Sequence, residues 1–191
     1  MLLLAHVGLA LGFTKGLEKV LSCRGMNDCT ELIDYRLVFG GSMLPDVIDK
    51  PLGGLILGST LGNGRIYCHT LLFQLFLLIS GIYLCFKYKR PELFVAAGGS
   101  AIHCILDGMW YFPETFLWPV YGWSFPEGDP GNWLRLWVNL LADPKYYIPE
   151  ILGGAIIIVF FTELVIRKNL YCFLVSGKVK GGITPPEEDA V

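Results

Sequence analysis

Apolar residues dominate three stretches of this chain, Ile66 to Phe86, Leu93 to Phe112 and Tyr147 to Ile166. Each approaches the about 20 residues a helix needs to cross a hydrocarbon core about 30 Å thick, so the pattern predicts three membrane-spanning helices. Two further stretches are apolar but irregular. Met1 to Thr14 predicts a short N-terminal helix, while Leu37 to Leu61 is interrupted by Pro45, Asp46, Asp49, Lys50 and Pro51. Non-helical backbone is tolerated at membrane depth only where protein or a wet cavity surrounds it, so LPDVIDKP predicts an interrupted or re-entrant segment facing the other helices. The expected fold is all-α: a polytopic membrane helix bundle over residues 1–175, then a flexible polar tail, 176–191, carrying GG, PP and EED. No charged n-region opens residues 1–14 and no AxA-like site follows, so this segment reads as part of the mature protein.

Composition agrees with a membrane protein. The 191 residues are 53% hydrophobic and only 17% charged, against about 25% charged in soluble domains. The length suits one small bundle and is short for the repeated architecture of most secondary transporters. A net charge of -2 and the lack of a basic cluster interleaved with aromatics exclude nucleic acid as the expected partner. The six cysteines, Cys23, Cys29, Cys68, Cys85, Cys104 and Cys172, are scattered without a CxxC pair, which points to neither a disulfide framework nor a thiolate metal site.

Basic residues set the expected orientation, because short cytoplasmic loops are rich in Lys and Arg. Lys87, Lys89 and Arg90 follow the first span, and Arg167, Lys168, Lys178 and Lys180 follow the last. Both connections are expected inside, with the C-terminus, and the loop 113–146 outside. Lys15, Lys19 and Arg24 would put the first loop inside and Met1 outside. Trp110, Trp118, Trp123, Trp133 and Trp137, with Tyr111, Tyr121, Tyr146 and Tyr147, cluster from the end of the second span through the outer loop to the start of the last span, as an aromatic belt does. Within it Trp133, Leu134, Leu136, Trp137, Leu140 and Leu141 have the spacing of an interfacial helix.

The chemistry lies in the polar exceptions to this pattern. All three histidines, His6, His69 and His103, sit in apolar segments, and ionisable groups inside membrane segments mark sites by default. His103 and Asp107 are four residues apart, on one face of a helix, where they could share a metal or the carboxylate could orient the imidazole. Asp46 and Asp49 converge if their backbone makes one helical turn. With the orientation above, His69, His103, Asp107 and Glu150 lie at one level toward the outer face, and His6 joins them if the N-terminus is outside. Converging ligands of this kind are what a metal site requires. Glu163 lies at the other end and reads as an interfacial or helix-pairing carboxylate; Glu31 and Asp34 read as solvated loop charges.

These residues resemble a known family. LPDVID, the Arg65 and His69 of GRIYCHTLLF, HCILDG and LWPVYGW are similar to the membrane-bound metal-dependent hydrolases typified by the bacterial YdjM proteins, themselves distantly similar to zinc-dependent phospholipases C. The likeness covers Met1 to Trp123, with Glu150 as a further match. It implies metal ligands at His6, Asp46, Asp49, His69, His103 and Asp107. Gly64 stands where the family's HRxxTHS segment has its first histidine, which leaves a mononuclear or inactive variant open.

Imidazole and carboxylate together suit zinc, with manganese or iron(II) as alternatives, and a bound zinc ion lowers the pKa of water to about 7 in established hydrolases. The expectation is a hydrolase acting near the extracytoplasmic face on a phosphate- or ester-containing amphiphile, a membrane lipid among the candidates. Asp46, Asp49 or Glu150 would serve as base, and Arg65, one helical turn before His69, would bind the anion. The rival is a non-enzymatic bundle whose buried His and Asp groups glue helices together or bind metal without catalysis. A transporter would need a polar path to the inner face, and LLISGIYLCF and LFVAAGG are nearly devoid of ionisable groups; a haem held by paired histidines fits the neighbouring aspartates less naturally. Nothing in the sequence fixes the oligomeric state.

Overall fold

The computed structural model describes residues 3–57, 62–128, 138 and 142–179. Among them there is no strand, and the elements are α1 (Leu3–Cys23), α2 (Asn27–Glu31), α3 (Tyr35–Pro51), α4 (Leu71–Tyr88), α5 (Glu92–Leu106), α6 (Pro113–Phe116), α7 (Pro144–Ile166) and α8 (Leu170–Ser176). The expected interfacial helix around Trp133 to Leu141 and the tail beyond Val179 lie outside the described residues.

The apolar stretches and the helices do not share boundaries. Among the described residues two helices are long and apolar enough to cross a membrane, α4 and α7. The expected span from Ile66 begins as a helix only at Leu71, since Tyr67–His69 form a single 3-10 turn. Thr70 then caps α4 by accepting from the Phe73 N–H at 3.1 Å. The expected span to Phe112 ends as an α-helix at Leu106, because Gly108 takes a left-handed conformation (φ 63°) that stops it, and aromatic residues continue the apolar pattern past the stop. At 15 residues, α5 is shorter than a full span. The N-terminal helix is longer than its apolar run and continues to Cys23.

The largest departure is α3. An interruption was expected at LPDVID, yet the α-helix passes through Pro45 and Asp49 to Pro51, and only then widens into a π-helical turn over Leu52–Ile56. Proline's fixed φ fits a helix and each costs one hydrogen-bond rung, so the chain can continue where packing holds it. Asp34 caps this helix through the Arg36 N–H at 2.9 Å, which corrects its reading as a solvated loop charge. Burial works against its ionisation, but the bonds from Arg36 outweigh it and hold the carboxyl below its usual range. On α3 the buried face runs Val38, Ser42, Pro45, Asp46 and Asp49, so apolar residues at one end give way to a polar stripe at the other.

Val7, Ala10, Leu11, Tyr35, Val38, Phe160, Leu164 and Phe173 form one core cluster shared by α1, α3, α7 and α8. Outward-facing positions of α4 and α7 are as apolar as this core: Leu72, Phe76, Ile79, Phe86, Ile151, Ile158, Val159 and Ile166 are all exposed. That surface is the one a hydrocarbon solvent would cover. Lys15 of α1 pairs with Glu163 of α7, which also bonds Arg167 at 3.0 Å, in keeping with a helix-pairing carboxylate.

Glycines let backbones meet where the site is assembled. A Cβ on Gly8 would lie 2.1 Å from the Gly153 carbonyl oxygen, and one on Gly41 would lie 2.2 Å from that of Ala96. Close approach of this kind drives association where water cannot, through packing rather than hydrophobic burial. Gly8→Leu is expected to force α1 from α7, costing about 1–3 kcal/mol or more, whereas Gly98→Leu, with nothing within 4 Å of its Cβ, should be near neutral. Thermal unfolding of the two variants in detergent compares them directly.

Candidate metal centre

Four elements bring their polar residues to one end of the bundle. His6 comes from the first turns of α1, Asp46 and Asp49 from the last turns of α3, His69 from the turn before α4, and His103 and Asp107 from the end of α5. All three imidazoles are at most 1% exposed. A buried imidazole needs partners for both ring nitrogens, and these partners decide which nitrogen carries hydrogen.

His103 Nδ1 stands 2.7 Å from the Ser42 carbonyl oxygen. A carbonyl only accepts, so Nδ1 must be protonated, and in the neutral ring Nε2 bears the lone pair. His69 Nδ1 stands 2.7 Å from Asp49 Oδ2. That carboxylate also accepts from the backbone N–H groups of Ile66 (2.9 Å), Cys68 (3.0 Å) and His69 (3.2 Å), so it acts as an acceptor toward every partner. His69 therefore also carries its hydrogen on Nδ1, leaving Nε2 bare. The two bare Nε2 atoms face each other at 3.3 Å. Two lone pairs so placed repel unless a cation lies between them.

Carboxylates surround the same gap. Asp46 Oδ1 lies 3.7 Å from His69 Nε2 and 3.8 Å from His103 Nε2, and Asp107 Oδ2 lies 4.0 Å from His69 Nε2. Ligands at about 2.0–2.1 Å from a tetrahedral ion stand about 3.3 Å from one another, so a small contraction would complete such a shell. The ligating atoms of His69, His103 and Asp107, and likewise those of His6, Asp46 and His103, lie within 4.8 Å of one another. The residues present fit a divalent ion of the zinc type.

Several expected roles change. Asp49, expected among the ligands, stands behind His69 as the carboxylate that orients it, its oxygens taken by backbone donors. Asp107 does not orient His103; its Oδ1 is 3.1 Å from His6 Nε2, and the His6 ring stacks on His103 with centroids 4.0 Å apart. Glu150, expected as a base, accepts from the N–H groups of Leu4 (3.0 Å) and Ala5 (3.1 Å), a carboxylate at the positive end of α1 one turn before His6. Arg65 is not in a helix with His69, but its Nε donates to Asp107 Oδ2 at 2.8 Å and its guanidinium lies 5.2 Å from the Phe112 ring centroid. Sequence reasoning missed Ser42, which acts through a backbone carbonyl that leaves no residue-type signal. It also missed Lys50, whose Nζ donates to Asp46 Oδ2 at 2.6 Å and which stands at the readable spacing of four residues.

Aromatic side chains wall the site on one side. Tyr67, in the turn that carries His69, meets Trp118 and Phe125 edge-on at 5.6 and 5.0 Å, and Trp118 stacks on Phe125. Trp123 meets Trp118 edge-on at 5.7 Å, and Trp110, Tyr111, Val120, Tyr121 and Trp123 are exposed. Asn63 ties its loop to the wall through the Pro126 carbonyl, at 2.9 Å.

A family model described as YdjM inner membrane protein matches residues 1–173. No curated protein and no solved structure matches the chain.

Purified protein in detergent is expected to retain zinc, and His103→Ala to lose it; unchanged metal content in that variant would refute the ligand assignment. Asp49→Asn, which removes an acceptor from the His69 ring and from the backbone of the turn that carries it, should weaken zinc affinity about 10- to 100-fold, read by competition with a chromogenic chelator.

Proposed function

The chain belongs to the YdjM inner membrane protein family, and from that premise we propose that it is a metal-dependent hydrolase of an anionic amphiphile, working at the extracytoplasmic face. The observation that carries this reading is the pair of imidazole Nε2 atoms facing at 3.3 Å with both tautomers set. His69, His103, Asp46 and Asp107 are the proposed ligands, with His6 beside them. A divalent ion in this setting supplies Lewis-acid activation of water and of a substrate oxygen.

The surrounding residues support the substrate class. Arg65 gives only Nε to Asp107 and remains about one-third exposed, so its outer guanidinium nitrogens can hold a phosphate or carboxylate at the rim. Water adds to the phosphoryl or acyl centre, the ester oxygen departs, and it takes up a proton. The exposed aromatic wall beside His69 offers an apolar surface for the rest of an amphiphile, at the level where Trp and Tyr favour the membrane interface.

Orientation rests on connectivity. His6 near the start of α1, His69 before α4 and Glu150 near the start of α7 lie at the site end, whereas Lys15 and Glu163 pair at the other. The basic runs at Lys87, Lys89 and Arg90 and at Arg167 and Lys168 follow α4 and α7 at that other end, which the bias of basic loops assigns to the cytoplasm.

Arg65→Ala is expected to lower kcat/KM on a phosphate-bearing amphiphile about 10- to 100-fold, the worth of a hydrogen bond to a charged group, while leaving bound zinc in place. Chelation should abolish hydrolysis and zinc should restore it. Absence of hydrolysis by zinc-loaded protein across phospholipid and prenyl-phosphate substrates would favour a bundle that holds metal without catalysis.

A further inference from the structure

The site raises a question of number. His6, Asp46 and His103 form one candidate ligand group, and His69, His103 and Asp107 form another. His103 is in both, but its Nδ1 donates to Ser42, so it has one lone pair to give. The groups therefore cannot each hold an ion through His103.

Asp46 tells the same story from the other side. Its Oδ1 faces the two Nε2 atoms, and its Oδ2 is occupied by the Lys50 ammonium at 2.6 Å. Asp107 differs: the oxygen that faces His69, Oδ2, itself accepts from Arg65 Nε at 2.8 Å, and Oδ1 stands 3.1 Å from His6 Nε2. The side chains of Lys50 and Arg65 are 45% and 36% exposed, while those of Asp46 and Asp107 are at most 10% exposed, so the cations stand at the mouth and the carboxylates behind.

Gly64 belongs to this arrangement. A Cβ at that position would lie 3.2 Å from Lys50 Cγ and 3.9 Å from Lys50 Cα. A side chain there would press on the lysine stem that delivers the ammonium to Asp46.

We propose that the Lys50 side chain is a fixed part of the metal centre, held on Asp46 across the bare face of Gly64, and that the centre consequently takes a single divalent ion. Lys50 is thus a positioning residue, turning Asp46 so that one oxygen faces the imidazole pair, and it competes with any second ion for the other. The inference rests on the metal-centre reading above.

The test is zinc titration of the full-length protein in detergent, with bound metal counted by mass spectrometry. Wild type and Lys50→Arg should bind one zinc ion per chain, and the double variant Lys50→Met with Gly64→His should bind two. Two ions in wild type would overturn the proposal, as would a double variant that binds its first ion and no second. Should the double variant not fold, manganese-loaded wild type decides: an isolated six-line electron paramagnetic resonance spectrum supports a single ion, and an exchange-coupled pair refutes it. Wild type that binds no metal at all would instead overturn the metal centre itself.

Discussion

Two nitrogen lone pairs aimed at each other set the terms for this molecule. Neutral imidazoles in a buried setting are stable only if every nitrogen is answered, and His69 and His103 answer one another only with a cation between them. Both rings are held in this confrontation by α3, through the Asp49 side chain for His69 and the Ser42 carbonyl for His103. Asp46 of the same helix looks into the gap. One buried stripe, Ser42, Asp46 and Asp49, thus sets the tautomer of two imidazoles and turns a carboxylate toward the gap between them. Loosening α3 would disturb the site at several points at once.

The packing of α3 is correspondingly close. Gly41 of α3 lies against the Ala96 backbone, and Gly99 of α5 lies against Val38 and Ser42. Without side chains at these crossings the two backbones approach far enough for the Ser42 carbonyl to reach the His103 ring, a contact that a larger residue at position 99 would pry apart. On α1, Gly8 does the same against Gly153, placing His6 next to its partners and Glu150 under the first turn of its helix. Small residues here serve the chemistry by setting distances between helices.

How much of this was legible beforehand depends on the kind of signal. Helix class and the identity of the polar residues were legible, because an ionisable group in an apolar run stands out whatever its role. His6, Asp46, His69, His103 and Asp107 do converge. Helix ends were less legible: Gly108 stops α5 while Met109 to Phe112 keep the apolar pattern going. The path of α3 through Pro45 was misjudged, since proline reports a missing donor and not whether neighbours will hold the helix together. Division of labour among carboxylates was not legible at all. Both Asp49 oxygens and Glu150 Oε2 accept backbone N–H groups, and backbone donors carry no residue code.

Asp49 also has a bearing on assembly during biosynthesis. Its oxygens gather the N–H groups of Ile66, Cys68 and His69, residues made after it. Without those residues the buried Asp49 carboxylate of α3 would lack its backbone donors. The irregular turn before α4 in turn has no regular secondary structure to satisfy its backbone. Each lacks what the other holds, so neither can settle into a water-poor interior first. Asp49 and the backbone of the His69 turn thus satisfy each other, so neither can be buried without the other.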